Sequence, residues 1–234
     1  MTMNRRDFLR MSAALTAAGM SPSLFAATKE QFTIYGAPAM PSVTIAVAAA
    51  QGKLAKQADV ALEIWRSPDQ LRAGVASGQF KVMMSPSNVG VNLRNQGQQV
   101  GMVNILTNGI TQLMCKGSAI TSPQELVGKK ILVPFKNDMP DIVLQALLKK
   151  LNIDINKVDI TYAATPTEAI GLFLLKDFHA AILPEPMASA VVQKAKIVGT
   201  EIVRGFDLVK EWGQAFNTKP LIPMAGIIAN EMGV

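Results

Sequence analysis

Residues 131–151 read Ile131-Leu132-Val133-Pro134-Phe135-Lys136-Asn137-Asp138-Met139-Pro140-Asp141-Ile142-Val143-Leu144-Gln145-Ala146-Leu147-Leu148-Lys149-Lys150-Leu151. The apolar run Ile131–Phe135 has the length of a buried strand, and Asp138–Leu151 reads as a helix. A turn of two residues joins them. Pro140 suits the first helical turn, Asn137 or Asp138 suits the cap, and Asp141 faces the positive end of the helix dipole. One strand, a short polar loop and one helix make the unit from which layered α/β sheets are built.

The same unit recurs on both sides. Upstream, strands at Gln31–Gly36, Val60–Trp65, Phe80–Met84 and Val100–Leu106 alternate with helices at Ser42–Leu54, Asp69–Ser77 and Val89–Asn95. Val43, Val47 and Ala50 share a helical face, and Leu62 and Ile64 alternate against Glu63. Downstream, strands at Val158–Ala163, His179–Leu183 and Glu201–Phe206 alternate with helices at Thr165–Lys176 and Pro186–Ala195. Ser122-Pro123-Gln124-Glu125 has capping-box spacing. Short links of this kind predict a parallel, layered α/β arrangement, with ligands at the carboxyl ends of the strands.

Two sheets fit better than one. The expected plan is a first lobe over 27–108, a second over 109–218, and a return strand to the first lobe within 219–234. The break falls in Thr107–Lys116, where a glycine-containing link joins the two sets of repeats. The terminal run Ile222–Asn230 is the returning strand, and if exposed it would be prone to aggregation.

Composition narrows the function. The chain has 234 residues, 49% apolar and 17% charged, which suits a folded protein and not a disordered tail. One cysteine, Cys115, and one histidine, His179, speak against a disulfide framework or a Cys/His metal site. The formal charge of +6 owes three arginines to the amino terminus, Arg5, Arg6 and Arg10. With that segment removed the balance is spread along the chain. No basic stripe interleaved with aromatics is present, so nucleic acid is not the partner.

Those arginines stand in Asn4-Arg5-Arg6-Asp7-Phe8-Leu9-Arg10, followed by the apolar run Met11–Met20 and a small-residue exit, Ser21–Ala27. These are the three parts of a secretory signal. The apolar run is too short and alanine-rich to span a bilayer. Arg5-Arg6-Asp7-Phe8-Leu9 resembles the twin-arginine export signal. Residues 1–26 are therefore expected to be an export leader, and the mature protein periplasmic.

Four further segments carry a family likeness: Gly36–Ser42, Ala76–Val82 with Ser85-Pro86-Ser87-Asn88, Lys136–Asp141, and Ala180-Ala181-Ile182-Leu183-Pro184-Glu185-Pro186. In order, they resemble the loops of solute-binding proteins of ABC importers, in the branch with sulfonate, nitrate, taurine and thiamine-precursor binders. The resemblance implies two α/β lobes of the type II binding-protein fold, two mainly parallel sheets with flanking helices, that close on a small-molecule ligand by hinge motion. It further implies a monomer that docks on an ABC permease in the inner membrane, with no cofactor. His179 stands where family members often carry Asp. The family usually continues for tens of residues past the returning strand, so truncation at Val234 is expected.

Candidate ligand-binding residues lie in the loops. Ala37 and Pro38 stand in the first loop, where Ser42 either caps the next helix or leaves N–H groups for a ligand. Ser85, Ser87 and Asn88 follow the third strand, and Asn108 the fourth; such residues equally form ordinary turns. In the second lobe the candidates are Lys136, Asp138, Met139, Pro140 and Asp141. Two carboxylates there would repel an anion, which Lys136 and Arg66 could offset; a neutral or amine-bearing ligand is equally compatible. Glu185 can bind a ligand amine or hydroxyl, or serve the helix that starts at Pro186. Trp65 is either a wall of the site or core.

No nucleophile motif, Walker A or Gly-x-Gly-x-x-Gly occurs. The same two-lobed architecture hosts enzymes, including menaquinone-pathway lyases and a pyrimidine synthase, and it also hosts ligand sensors. These are the competing readings, and the export leader weighs against a cytosolic enzyme.

Overall fold

A computed structural model describes residues 31–52, 55 and 58–231. The expected export leader lies outside the described residues. Strands run over Gln31–Gly36 (β1), Asp59–Ile64 (β2), Val82–Pro86 (β3), Val100–Asn108 (β4), Thr111–Lys116 (β5), Lys130–Pro134 (β6), Asp159–Ala163 (β7), Ala180–Pro184 (β8), Ile202–Arg204 (β9) and Pro223–Asn230 (β10). Helices run over Pro41–Ala50 (α1), Pro68–Ala76 (α2), Ser87–Asn95 (α3), Met139–Lys150 (α4), Pro166–Leu175 (α5), Met187–Ile197 (α6) and Leu208–Phe216 (α7).

The strands form two five-stranded sheets, ordered β2-β1-β3-β10-β4 and β7-β6-β8-β5-β9. In each, one strand runs against the other four: β10 is antiparallel to β3 and β4, and β5 to β8 and β9. Both reversed strands follow a crossing between the sheets. The chain passes from β4 into β5 through Gly109 and Ile110, and returns from α7 into β10. The two crossings touch, because Gly109 N–H donates to Ile222 O at 3.0 Å.

Side-chain alternation explains why the second sheet is covered on both faces. Ile131, Val133 and Ile182 point into a core with Leu144, Leu147, Leu148 and Leu208 from α4 and α7. Their neighbours Leu132, Ala181 and Leu183 point the other way, against Ile170 and Phe173 of α5 and Val191 of α6. Strands buried on both faces read as continuous apolar runs, as these do. In the first sheet Met83, Met84 and Ile228 pack with Leu71, Val75, Val89 and Leu93 of α2 and α3.

Three expectations need correcting. Thr111–Lys116 is no link but a buried strand, hydrogen-bonded on both sides. The return strand is not exposed at an edge: β10 sits between β3 and β4. The edge on that side is β4, with Met102, Val103, Ile105 and Leu106 exposed along it. Finally, Ser122 makes no cap hydrogen bond to the 3-10 turn Pro123–Leu126. Glu125 instead accepts from the Thr121 amide and hydroxyl and from the Ser122 hydroxyl.

Gly109 has φ +60°, and a Cβ there would lie 2.0 Å from Val209 Cγ2. Both facts make a side chain at the crossing costly. Gly109→Ala is expected to destabilise the protein by more than ~1 kcal/mol in a denaturant melt. An unchanged midpoint would show that the crossing tolerates displacement.

Candidate functional site

The two sheets face each other across a cleft beside the crossings. At its centre is a cavity of about 60 Å³, whose lining includes Ala37, Pro38, Trp65, Phe135, Met139 and Met224. That is room for a few waters or one small apolar group. Direct contacts cross between the lobes. Met40 N–H donates to Glu185 O at 3.3 Å, and Ser87 Oγ lies 3.6 Å from Met139 Sδ. Arg72 of α2 approaches Asp138 at 3.5 Å.

Each loop is held by its own local bonds. In the first, Ser42 Oγ donates to Ala37 O at 2.6 Å. This corrects the expected cap: Met40 is the cap residue of α1, without a side-chain bond, and Ser42 lies inside the helix. Gly36 permits the arrangement, since a Cβ there would stand 2.7 Å from Ser42 Oγ. Trp65 is both core and wall; it is 2% exposed, donates from Nε1 to Met84 O at 2.9 Å, and lines the cavity.

In the third-strand segment, Ser85 is not a loop residue but part of β3, fully buried, with its hydroxyl on Pro86 O. Ser87 Oγ donates to Pro223 O at 2.6 Å, tying α3 to the return strand. Asn88 is different: neither its Nδ2 nor its Oδ1 has a hydrogen-bond partner, although both atoms are buried.

The second-lobe loop turns sharply, with φ of 60° at both Phe135 and Asn137. Its two acids have opposite fates. Asp141 is saturated: Oδ2 accepts from Asn137 N–H at 2.8 Å, while Oδ1 accepts from Gln145 Nε2 at 2.8 Å and Tyr162 OH at 3.0 Å. Burial and then the Asp141 carboxylate push the Tyr162 hydroxyl up to about 12. Asp138 Oδ1 accepts from Met139 N–H at 3.1 Å, but its buried Oδ2 has no hydrogen bond. Burial pushes the Asp138 carboxyl above its ordinary value, against weaker opposing pulls from the adjoining Asn88 amide, Met139 N–H and Arg72.

The remaining candidates stand outside the cavity or are already engaged. Arg66 is exposed, and its backbone N–H bonds Gln70. Asn108 is exposed at the end of β4. Lys136 is exposed, with Nζ 5.1 Å from the Tyr162 ring centre. Glu185 Oε1 meets Arg204 Nη2 at 2.6 Å and Oε2 accepts from Ser189 N–H at 3.1 Å. Burial alone would raise its pKa, but the Arg204 and Ser189 bonds outweigh it and hold the carboxyl below its usual value. The structure thus brings together Ala37, Pro38, Met139 and Pro140 at the cavity, with Asn88 and Asp138 beside it. Sequence reasoning missed Phe135, Met224 and Arg72. Phe135 adjoins a loop that was singled out, but its apolar side chain gave no signal of a ligand role.

Residues 40–196 match the family model described as NMT1/THI5 like, and residues 2–22 match the model of the twin-arginine translocation pathway signal sequence. No match is found among curated protein sequences. Solved structures similar to this chain include an ABC transporter protein from Parabacteroides distasonis, at 18% identity and TM-score 0.62, over 88% of this chain and 67% of that one. Another is the periplasmic aliphatic sulphonate binding protein SsuA from Escherichia coli, at 15% identity and TM-score 0.66, over 87% and 66%. A third is the ligand binding component of an ABC-type import system from Staphylococcus aureus, at 14% identity and TM-score 0.64, over 86% and 66%. At such identities the likeness is one of fold, and the chain spans about two thirds of the length of these proteins.

Asp138 has a pKa raised on folding, so it favours the folded state when protonated. Its contribution is present below the ordinary value of 3.8 and is lost as pH rises through the raised folded value. Asp138→Asn keeps a good cap and removes the buried charge. It is expected to stabilise the solute-free protein at neutral pH by on the order of 1 kcal/mol and to flatten this part of the pH–stability curve. Destabilisation at neutral pH in thermal melts would show that Arg72 fully compensates the carboxylate.

Proposed function

The chain belongs to the NMT1/THI5-like family, and from that premise we propose that it is the solute-binding component of an ABC-type importer. Its leader addresses it to the twin-arginine pathway and so to the periplasm. There it captures a small organic molecule in the interlobe cleft as a monomer, and delivers it unchanged to a permease. The observation that carries this reading is the apolar cavity walled from both sheets, directly beside the two crossings that join them among the described residues. Rotation about those crossings opens the cavity to water without breaking either core, and closure buries what has entered. Ala37, Pro38, Met139 and Pro140 are its contact surface, with the neighbouring loop residues holding it in shape.

The reading involves no chemical step. Cys115 is buried inside the second sheet, and burial pushes its thiol up, away from the reactive thiolate. His179 accepts Lys130 N–H at Nδ1 and is not among the residues that line the cavity. Neither presents a nucleophile or base to the cleft.

Mass spectrometry before and after denaturing the full chain, purified from periplasm, tests the proposal. A small molecule released unchanged, and rebinding reversibly, is the expected result. A released molecule that the refolded protein converts to a different mass would move the function to catalysis.

A further inference from the structure

Asn88 and Asp138 face each other, with the Asn88 amide adjoining the Asp138 carboxyl, yet Asn88 Nδ2, Asn88 Oδ1 and Asp138 Oδ2 are buried and none has a hydrogen bond of good geometry. They come from opposite lobes, Asn88 from α3 and Asp138 from the cap of α4. Buried polar groups in native proteins are almost always satisfied, so a coincident cluster of unmet ones calls for a missing partner. The cavity adjoins them through Pro86 on one side and Met139 and Pro140 on the other. Asp138 is 1% exposed, so bulk water does not complete it.

Arg72 does not fill the gap. Its Nη2 stands 3.5 Å from Asp138 Oδ2, too far for a hydrogen bond, while its Nη1 is held at 3.1 Å by Asp69 at the surface. The other acid of the loop, Asp141, has no free oxygen for a ligand. Lys136 lies over Tyr162 and is exposed. A solute entering here therefore meets an apolar wall, a carboxylate oxygen that its Asn88 and Arg72 neighbours approach without closing a good hydrogen bond, and an amide able both to give and to accept.

Building on the importer reading, we infer that the solute carries an N–H donor head group, such as a primary ammonium, amidinium or carboxamide, which completes Asp138 Oδ2 and the Asn88 side chain while its apolar body fills the cavity. An acceptor-only head, a sulfonate or carboxylate, would place negative charge against an unmet carboxylate and is rejected. Because the two groups sit on different lobes, the same head group bridges the cleft and favours its closure.

Ligand-observed saturation-transfer NMR on the full mature chain tests this with four probes sharing one body: isobutylammonium, isobutyramide, isobutyrate and isobutanesulfonate. The ammonium and the amide are expected to bind about tenfold more tightly than the two anions, the factor that a single hydrogen bond to a charged group supplies. Asp138→Asn should abolish the preference for the ammonium, and Asn88→Ala should weaken both donors, with circular dichroism of each variant unchanged. Equal or tighter binding of the anions overturns the inference and leaves the cleft as a solute site. A folded protein that binds none of the four, and from which no solute is released on denaturation, overturns the importer reading and this inference with it.

Discussion

Everything in this molecule depends on how two separate cores are joined. Each sheet would be a plain parallel stack but for one reversed strand, and each reversed strand is the one that enters from the other sheet. A chain leaving one lobe thus arrives antiparallel in the interior of the other, locked by hydrogen bonds on both sides. The crossings themselves are light. They meet at the backbone bond from Gly109 to Ile222, with Ile222, Met224, Met139 and Val143 packed beside it. Stiff lobes joined by a thin apolar seam move as bodies, because bending either core would disturb close packing while turning at the seam would not.

The cleft beside that seam shows a division of labour. Most polar groups in its loops are spent on the protein: Ser42 on Ala37, Ser87 on Pro223, Asp141 on Tyr162, Glu185 on Arg204. They hold apolar side chains and prolines in place around the cavity. Asp138 and Asn88 depart from this rule: Asp138 Oδ2 and both polar atoms of the Asn88 side chain are buried without a hydrogen bond. Such unmet groups concentrate where a protein's function needs them, since the partner that satisfies them also selects the conformation that offers them.

Much of the fold could be read from the amino-acid order, because strands buried on both faces announce themselves as short apolar runs between turn residues. The stretch 131–151 folds as read, to within a residue or two. Thr111–Lys116 escaped because only Gly109 and Ile110 separate it from β4, so two strands in different sheets look like one strand and its tail. The position of β10 between β3 and β4 could not be seen either, since pairing partners distant in sequence leave no local trace. At the site, loop positions were legible and side-chain roles were not. Of the candidates, the apolar Ala37, Pro38, Met139 and Pro140 line the cavity while the polar ones do not, and the difference between Asp138 and Asp141 lies in neighbours such as Tyr162, twenty-one residues further on.

Pulsed electron paramagnetic resonance across the cleft tests the hinged-lobe account most directly. Spin labels at Asp69 and Asn137, both exposed and on opposite lobes, report the separation of the rims. The account predicts a broad or double distance distribution in protein stripped of small molecules, collapsing to a single short distance when the solute released by denaturation is returned. One fixed distance, unchanged by stripping and reloading, would contradict it.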